Sequence, residues 1–478
     1  MSFIPYKHQL TAAAQLAERS AFGLLMEMGT GKTRTLVMDL EYKLERGLIK
    51  NFLLVAPSGS YRNWDGELEK WLPPELYKKL KIFTWVSSKT KPKDFEAFLK
   101  LSPERPRVLL MNVEALSRVD RAKEGIVTFL QSADTMWCID ESQCIKAPDS
   151  LRTKFILKIA PLAKYRRILT GLVAPENPLN VYSQFAFLNP DILGHRNFFT
   201  FRARYAVTKK VDFKKQGGRP VEVIVGYRNV EELQKKIADH SFRVRTEEVL
   251  DLPPKIFMPI RHVDMTMEQL KAYNDIKRLA MTEINGQYVT AQIAAAVLTK
   301  LHSILCGHVV DENGEAHDIP SNRVDSLLEL LEDYDGKAII WAPYPRFLKK
   351  IAEALEKEYG AESTVRFWGE VKSDDREIAK ARFQDDPKCR FFVSNQSVGG
   401  EGNTLTAAHL VVYAANSWKN SERQQSEARA HRIGQNSSVT YVDLAVRGSM
   451  EEKLIKALRN KMDLAALVSG DKLQEWLI

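Results

Sequence analysis

The chain has 478 residues, of which 44% are hydrophobic and 27% are charged. This balance is typical of globular proteins, and the length predicts two to four domains. The net charge of +9 suits a polyanionic partner, and the alternative is a merely basic surface. No apolar run approaches the ~18 residues of a membrane span, and the four cysteines lack the CxxC spacing of a zinc site or the pattern of a disulfide framework. The N-terminus carries no signal-peptide pattern, so we expect a cytoplasmic protein without membrane association.

The first informative pattern is LLMEMGTGKT, from Leu24 to Thr33, and helical spacing continues after it up to Glu45. It predicts a strand, a phosphate-binding loop and a helix. Glycines in this loop would let backbone N–H groups close around phosphate oxygens, and the helix N-terminus would add its partial positive charge. Lys32 would reach the β- and γ-phosphates, and the Thr33 hydroxyl would ligate Mg²⁺. The loop residues predicted to bind the nucleotide are Gly29, Thr30, Gly31, Lys32 and Thr33.

The residues around the loop add one candidate and one departure. Gln9 precedes the loop, and its amide both donates and accepts hydrogen bonds, as the reading of an adenine ring requires. The alternative for Gln9 is an N-terminal surface residue. The usual first glycine of the GxxxxGK[ST] pattern would fall at Met26. Gln9 therefore joins the predicted ATP-binding residues, and Met26 has no explanation from the sequence.

Short apolar runs then alternate with helical patterns. The runs NFLLVAP (51–57) and VLLMN (108–112) are nearly continuous, which is typical of buried parallel strands. Helical spacing separates them, for example at 61–71 and at 94–100. This alternation predicts a doubly wound α/β sheet that binds its ligand at the carboxyl ends of the strands.

A third such strand, TMWCI (135–139), ends in Asp140 and Glu141. An acidic pair at this position lies where a second element of a phosphate site is expected. Asp140 would hold Mg²⁺ through water, and Glu141 would orient and deprotonate the attacking water. The alternative is a solvated loop pair. The next strand ends in Thr170 and Gly171, a small polar turn that either couples the ATP site to a nucleic-acid path or is structural.

The second half of the chain carries a glycine cluster and a basic helix. The glycines come after a predicted strand at 390–394 and would permit close backbone approach to phosphate or DNA. Gly402 is predicted to bind ATP, and Gly399 and Gly400 are predicted, with Gln425 further along the chain, to contact DNA or couple it to the ATP site. The helical segment 425–435 places Arg429 and Arg432 three residues apart on one face, with Gln425 beside them. Two such guanidiniums can grip a γ-phosphate and stabilise charge in the transition state, unless they form a solvated basic face.

Two further segments have an informative composition. Residues 195–250 hold 13 lysines and arginines against 7 acidic residues, with aromatic residues among them. Such a segment suits either a surface that tracks a phosphate backbone or an ordinary amphipathic insert, and it contains a predicted turn at 216–220. Residues 449–478 have amphipathic helical spacing, which predicts a helix that packs back on the protein or, alternatively, binds a partner.

The order of these elements resembles that of superfamily-two helicases, in particular the Swi/Snf-type family of DNA-dependent ATPases. MEMGTGKT is similar to motif I, WCIDESQCIKAPDSLRTK to motif II and LTGLVAPENPL to motif III. SNQSVGGEGNTLTAAHLVVYAANSW is similar to motif V and RQQSEARAHRIGQ to motif VI, and the resemblance covers about residues 3–460. The positions that depart from the family pattern are Met26, Ser142, Gln143, Leu172, Val173, Asn403 and Thr404.

The resemblance implies an α/β fold of two RecA-like parallel-sheet lobes in tandem, with a helical insertion between them. The implied boundaries are lobe 1 at 1–193, insertion and linker at 194–322, lobe 2 at 323–447 and a C-terminal helical brace at 448–478. ATP and Mg²⁺ would bind between the lobes when the cleft closes. The residues implied to act there are Lys32, Thr33, Asp140 and Glu141 from lobe 1 and Arg429 and Arg432 from lobe 2.

The implied function is an ATP-dependent DNA translocase or helicase, which couples hydrolysis to movement on duplex or branched DNA in recombination, repair or branch remodelling. A compact chain of this type suits a bacterial protein, or a phage protein in the host cytoplasm, and we expect a monomer with protein partners left open. One alternative is a strand-separating helicase on branched DNA or RNA. The other is a DNA scaffold that binds ATP without turnover, which Met26, Leu172 and Val173 would support.

Overall fold

A computed structural model describes residues 4–87, 89–102, 105–174, 177–211, 221–284, 291–311, 314–400 and 404–460. They form two compact units, which divide between Asp251 and Leu252. The predicted insertion at 194–322 contains strands as well as helices. It is shared between the two units, because its strand at 241–244 joins the first sheet and two of its later strands, at 255–257 and 261–263, join the second. The predicted domain boundaries stay predictions. Within the described ranges, none of the helices has the length and apolar character needed to cross a membrane.

The first unit is built around one parallel sheet. Its strands are β1 (Ala21–Met26), β2 (Asn51–Ala56), β3 (Lys81–Thr84), β4 (Arg107–Asn112), β5 (Thr135–Asp140), β6 (Tyr165–Leu169), β7 (Ala206–Val211), β8 (Val221–Tyr227) and β9 (Ser241–Val244). Its helices are α1 (Lys7–Glu18), α2 (Lys32–Glu45), α3 (Asn63–Trp71), α4 (Pro74–Tyr77), α5 (Pro92–Leu99), α6 (Ala115–Arg118), α7 (Asp120–Ser132), α8 (Leu151–Ile159), α9 (Val181–Leu188), α10 (Phe198–Tyr205), α11 (Val230–Ala238) and α12 (Thr246–Val249). The sheet order is β3-β4-β2-β5-β6-β1-β9, and β7 and β8 form a separate antiparallel hairpin.

The second unit has its own parallel sheet. Its strands are β10 (Lys255–Phe257), β11 (Arg261–Val263), β12 (His308–Val310), β13 (Ala316–Asp318), β14 (Ala338–Trp341), β15 (Thr364–Phe367), β16 (Phe391–Ser394), β17 (Leu410–Tyr413) and β18 (Val439–Val446). Its helices are α13 (Met267–Ile284), α14 (Ala291–Leu305), α15 (Arg323–Glu332), α16 (Pro345–Tyr359), α17 (Ser373–Asp385), α18 (Gln396–Gly399), α19 (Asn420–Ala430) and α20 (Met450–Arg459). The sheet order is β10-β18-β17-β14-β16-β15, with β11 also on β18 and a separate β12–β13 pair.

Burial on both faces explains the continuous apolar runs that predicted these strands. All six residues of β2 and all four of β14 are buried. In β2, Leu53 and Val55 belong to the hydrophobic cluster on one face of the sheet, and Phe52 and Leu54 belong to the cluster on the other. Helices cover both faces, so each strand is apolar along its length. The predicted fold class, α/β with two tandem parallel-sheet lobes, is confirmed.

Candidate nucleotide-binding and hydrolysis site

The carboxyl ends of three adjacent strands bring the predicted residues of the first unit together. Strands β5, β6 and β1 are neighbours and run parallel, so the segments after their carboxyl ends lie along one edge of the sheet. The phosphate loop (residues 27–31) comes directly after β1, Thr170 comes after β6, and Glu141 comes after Asp140 at the end of β5. The sheet therefore joins three sequence elements that are far apart in the chain.

The phosphate loop has the geometry of an anion-binding turn. Gly29 and Gly31 have φ angles of 83° and 88°, a left-handed conformation that residues with a Cβ rarely adopt. Gly31 is also the N-cap of α2, a helix with no side-chain cap bond and no acidic residue in its first turn. The backbone N–H groups in the first turn of α2 can therefore donate hydrogen bonds to a phosphate. The Lys32 Nζ donates to the carbonyl oxygens of Met26 at 2.9 Å and Glu27 at 3.3 Å, and it is thereby held at the loop.

Helix α1 contacts this loop through two side chains. The Nε2 of Gln9 donates to the carbonyl oxygen of Thr30 at 3.3 Å, and a Cβ on Gly31 would lie 2.0 Å from that nitrogen. The His8 Nε2 lies 2.8 Å from the same Thr30 oxygen. Gln9 is 1% exposed, and its Oε1 accepts from the backbone N–H of Tyr6. The Nε2 end of the Gln9 amide thus contacts the loop, the Oε1 end binds the N-cap residue of α1, and the reading of adenine by Gln9 stays a prediction.

Asp140 is held by two hydrogen-bond donors. The Trp64 indole Nε1 donates to its Oδ2 at 3.0 Å, and the backbone N–H of Glu141 donates to its Oδ1 at 2.9 Å. Burial and the negative charge of Glu141 raise the pKa of Asp140 to about 6, against the opposing effects of Trp64 and Lys32. A carboxylate with one donor on each oxygen keeps lone pairs for water. This arrangement fits the predicted contact of Asp140 with Mg²⁺ through water.

Glu141 has an uncommon backbone conformation. Its φ of 48° and ψ of 56° lie in the left-handed region. Among the residues that the structure describes, Asn229 is the other non-glycine residue with a positive φ. Such conformations cost about 1–3 kcal/mol and concentrate at functional sites. The strain at Glu141 therefore supports a functional role for this residue.

A chain of hydrogen bonds links Glu141 to the turn after β6. The Gln143 Nε2 donates to the Glu141 Oε2 at 2.8 Å, and the Thr170 hydroxyl donates to the Gln143 Oε1 at 2.7 Å. The adjacent Gly171 lies against the phosphate loop, since a Cβ there would be 3.3 Å from the Cγ and from the backbone N of Met28. The turn at Thr170 and Gly171 thus connects the predicted base with the phosphate loop, whereas its coupling to DNA stays a prediction.

A second, buried link involves residues that depart from the family pattern. The Ser142 hydroxyl donates to the Gln184 Oε1 at 2.6 Å. The Gln184 Nε2 donates in turn to the carbonyl oxygens of Val173 at 2.6 Å and Asn180 at 2.8 Å. Two unusual positions, Ser142 and Val173, are therefore joined through one glutamine, which attaches the turn after β6 to the acidic pair.

The residues at this edge also fit a magnesium ion. Thr33 lies in the first turn of α2, beside the phosphate loop, and Asp140 ends β5. A hydroxyl oxygen, a carboxylate and water are the ligands that Mg²⁺ prefers. A bound Mg²⁺ would neutralise charge on the β- and γ-phosphates. The site is thus suited to a magnesium–nucleotide complex, and Mg²⁺ binding stays a prediction.

Replacing Trp64 by phenylalanine is expected to weaken the use of Mg²⁺ without unfolding the protein. The side chain is 3% exposed, and phenylalanine keeps an aromatic ring in the core while it removes the donor to Asp140. Loss of a group that orients a metal-holding residue typically costs 10- to 100-fold in metal affinity. We expect the half-saturating Mg²⁺ concentration to rise by about tenfold or more, both for ATP hydrolysis and for binding of a fluorescent ATP analogue.

Trp71 offers a matched control on the same helix. Its Nε1 donates to the Glu67 Oε2 at 2.8 Å rather than to Asp140. The Trp71→Phe variant should therefore lose a comparable hydrogen bond and keep the Mg²⁺ dependence of the unaltered protein. An equal shift in both variants, or an unchanged Mg²⁺ dependence in Trp64→Phe, would contradict the positioning role of Trp64.

The second unit brings the glycine cluster close to the basic helix. A Cβ on Gly400 would lie 3.6 Å from the backbone N of Ser426 in α19, and a Cβ on Gly399 would lie 2.2 Å from the Ser394 hydroxyl oxygen. Packing alone thus favours glycine at position 399. The contact of Gly399 and Gly400 with phosphate or DNA stays a prediction, and Gly402 lies outside the described residues.

Helix α19 is shorter than predicted. It ends at Ala430, so Arg429 lies on the helix and Arg432 lies in the turn after it. The Gln435 Nε2 donates to the carbonyl oxygen of Ala430 at 3.0 Å, which satisfies an acceptor that the helix end leaves open. The prediction that both arginines share one helical face is therefore wrong. Arg429 is 5% exposed, and its Nε donates to the carbonyl oxygen of Gln425 at 3.1 Å.

A buried ion-pair network fixes α19 to the second sheet. Arg423 donates to both carboxylate oxygens of Asp443 on β18 and to the Asn416 Oδ1 at 2.6 Å. Arg459 of α20 donates to the same carboxylate at 2.7 Å. The guanidiniums hold the pKa of Asp443 below its usual value although burial alone would raise it. The helix that carries Gln425 and Arg429 is therefore rigidly placed within the second unit.

Sequence reasoning missed three residues that support the site, namely His8, Trp64 and Gln184. Each is bonded to a partner far along the chain, since Trp64 meets Asp140 and Gln184 meets Ser142. Spacing along the sequence carries no signal for such pairs. The available signal is weaker: Trp64 lies at the start of a helix that comes after a buried strand, where side chains reach the carboxyl edge of the sheet.

The chain matches two protein-family models. The SNF2-related domain matches residues 8–306, and the helicase conserved C-terminal domain matches residues 322–434. The human DNA annealing helicase and endonuclease ZRANB3 is 26% identical over 455 residues, which cover 94% of this chain and 38% of that protein. The TATA-binding protein-associated factor MOT1 of Saccharomyces cerevisiae is 24% identical over 466 residues, which cover 87% of this chain and 24% of that protein. The chain thus spans about a quarter to two-fifths of the length of these relatives.

Among solved structures, the Sulfolobus solfataricus SWI2/SNF2 ATPase core in complex with dsDNA matches with a TM-score of 0.42 and 23% identity, over 100% of this chain and 95% of that chain. The SNF2-related domain model alone covers more than half of the chain. The two domain matches confirm the resemblance to the Swi/Snf-type family of helicases. The chain therefore belongs to the SNF2-related family, and its SNF2-related domain is followed by a helicase C-terminal domain.

Proposed function

We propose that the protein is a DNA-dependent ATPase that converts ATP hydrolysis into movement along duplex DNA. Its setting would be recombination, repair or branch remodelling in the cytoplasm. Two findings support this function: the family to which the chain belongs and the chemistry of the site in the first unit.

The conformation of Glu141 is the observation that carries the proposal. The residue comes directly after Asp140 at the end of β5, adopts a strained left-handed backbone and receives the Gln143 amide on Oε2. One carboxylate oxygen is thus fixed by a hydrogen bond, and Oε1 would accept the proton of the attacking water. A base oriented in this way typically contributes about 10²–10⁴-fold to a rate.

The loop and the second unit would supply the remaining charge stabilisation. The loop N–H groups and Lys32 would bind the β- and γ-phosphates, which keeps the γ-phosphate in line with the water. Arg429 and Arg432 would approach the γ-phosphate from the second unit, as the resemblance implies. Release of the γ-phosphate would then change how the units engage DNA, since nucleotide hydrolysis commonly drives such switching.

Charge and composition support DNA as the substrate. The chain carries a net charge of +9, and its segment 195–250 holds 13 basic against 7 acidic residues. Basic surfaces of this kind bind phosphate backbones with little dependence on sequence. The relative ZRANB3 is described as a DNA annealing helicase, which agrees with a polynucleotide substrate of this type.

Hydrolysis of ATP measured against a panel of nucleic acids tests the proposal. The panel comprises single-stranded DNA, duplex DNA, a fork, a four-way junction and RNA. We expect duplex or branched DNA to stimulate phosphate release, and we expect Lys32→Ala to abolish it because the loop loses its phosphate-binding ammonium group. Lys164→Ala is the matched control, since Lys164 forms an exposed ion pair with Asp134 at the amino ends of the strands. Absence of hydrolysis with every nucleic acid would leave the scaffold as the function.

Displacement of a third strand separates translocation from unwinding. A translocase on duplex DNA should displace a triplex-forming oligonucleotide in an ATP-dependent manner without separating the underlying strands. The Lys32→Ala variant should fail in this assay. Unwinding of forked duplexes without triplex displacement would instead establish a strand-separating helicase.

A further inference from the structure

A pocket lies between helix α10 and the β7–β8 hairpin of the first unit. It encloses about 350 Å³ and is lined by apolar and charged side chains from both elements and the segment after β8. The lining includes Phe199, Arg202, Val207, Thr208, Glu222 and Arg228. The volume lies within the range of about 300–1,000 Å³ that holds small organic ligands. The nucleotide site uses none of these residues, so the pocket is a separate candidate site.

Helix α10 is anchored in a way that leaves one aromatic ring exposed. Phe198 and Phe201 pack against Tyr182, with ring centroids 5.5 and 5.1 Å from it, and Tyr205 is fully buried. Phe199, in contrast, is 77% exposed. Its ring is therefore held at the surface by its neighbours and can stack on a planar group. Val207, at 39% exposure, adds apolar surface from the hairpin.

The rim of the pocket combines guanidinium donors with one carboxylate. Arg228 is fixed by the backbone of α10, because its guanidinium donates to the carbonyl oxygens of Ala203 at 2.6 Å and Arg204 at 3.2 Å. Arg202 lies 3.8 Å from Glu222, a distance that leaves the ion pair loose. A ligand that offers both anionic groups and hydrogen-bond donors would satisfy this rim.

The charge around the pocket favours a polyanion over a neutral or basic peptide. Lys209 and Lys210 are exposed on β7, next to the pocket residues Val207 and Thr208. The wider segment, 195–250, has 13 basic and 7 acidic residues. An exposed aromatic ring within a basic surface is the combination that binds single-stranded nucleic acids, since every base has a face that can stack.

We propose that this pocket binds an unpaired base of a DNA strand; the proposal rests on DNA being the substrate in the proposed function. The base stacks on Phe199, Arg202 and Arg228 contact the flanking phosphates, and Glu222 accepts a hydrogen bond from an exocyclic amine. Both faces of a base within a duplex are covered by its neighbours, so the pocket selects single-stranded segments such as those at forks and branches. Movement along plain duplex DNA does not need it.

Binding of labelled oligonucleotides to Phe199→Ala and Phe199→Tyr variants of the full chain tests this pocket. The probes are a fluorescein-labelled oligodeoxycytidine, an abasic strand of the same length and a duplex of the same length. Stacking on one aromatic residue is worth enough that Phe199→Ala should weaken oligodeoxycytidine binding by about fivefold or more. The Phe199→Tyr variant keeps an aromatic ring and should bind oligodeoxycytidine like the unaltered protein. Affinity for the abasic strand and for the duplex should not change.

Leu162→Ala is the control, because Leu162 is 40% exposed in the same unit and lies outside the pocket. It should bind all three probes like the unaltered protein, and all variants should have the same thermal unfolding midpoint. Equal losses for oligodeoxycytidine and duplex, or no loss for either, would overturn the pocket as a base-binding site. The outcomes separate the two proposals. If duplex DNA fails to stimulate ATP hydrolysis while Phe199→Ala still weakens strand binding, the proposed function fails and the pocket stands.

Discussion

Replacing Glu141 by glutamine is expected to reduce ATP hydrolysis by about 10²–10⁴-fold while ATP still binds. Glutamine has the same shape as glutamate, but its amide cannot take a proton from water at neutral pH. The hydrogen bond from Gln143 reaches the Glu141 Oε2, and a side-chain amide can still accept it through its oxygen. The fold and the phosphate loop should therefore persist. Single-turnover phosphate release, compared with the affinity for a fluorescent ATP analogue, measures the two effects separately.

Glu114→Gln provides the matched control for this experiment. Glu114 is an exposed carboxylate of the same unit, where it accepts from the Asn112 Nδ2 at 3.1 Å. Its neutralisation should leave hydrolysis within about twofold, since surface substitutions usually change little. If Glu141→Gln retained most of the phosphate release of the unaltered protein, another group would have to be the base, and the strained backbone at Glu141 would need a different explanation.

Much of the first unit could be predicted from local sequence because local patterns determine it. The apolar runs before Gly29 and before Asp140 are buried strands of one sheet, separated in it by β6 alone. Because the strands are parallel, the loops at their carboxyl ends share one edge. Met26 also has a physical explanation: it ends β1, is fully buried in a hydrophobic cluster and offers its carbonyl oxygen to Lys32. Burial in the strand, and not a role in the phosphate loop, explains why an apolar side chain is found at position 26.

The supporting contacts could not be predicted because they join residues that only the folded chain brings together. Trp64 reaches Asp140 from a helix after a different strand, and the Ser142–Gln184 bond spans two neighbouring elements. The spacing of residues along the sequence also could not predict where α19 ends. Arg432 continues a helical pattern in sequence, yet Gln435 folds back onto the helix end and the chain leaves the helix after Ala430.

A buried ion triad holds together the elements that form the nucleotide site. Asp39 of α2 accepts from the Lys43 Nζ at 2.5 Å and from the Arg167 Nε at 2.9 Å, and all three side chains are fully buried. Arg167 lies on β6, three residues before Thr170, and also donates to the carbonyl oxygen of Leu16 in α1 at 2.8 Å. The triad thus joins the loop helix, the strand before the polar turn and the helix of Gln9.

Replacing Asp39 by alanine is expected to destabilise the first unit by about 3–5 kcal/mol, because it leaves two buried cations without their anion. Urea unfolding measures the loss of stability, and hydrogen exchange in α1, α2 and β6 would show that the loss lies in this unit. Asp134→Ala is the control: it removes an exposed ion pair with Lys164 at 2.6 Å, which is worth at most about 1 kcal/mol. A loss as small as that of the control would mean that Lys43 and Arg167 find other partners. A large loss with normal ATP binding by the folded fraction would show that the triad stabilises the unit without tuning the site.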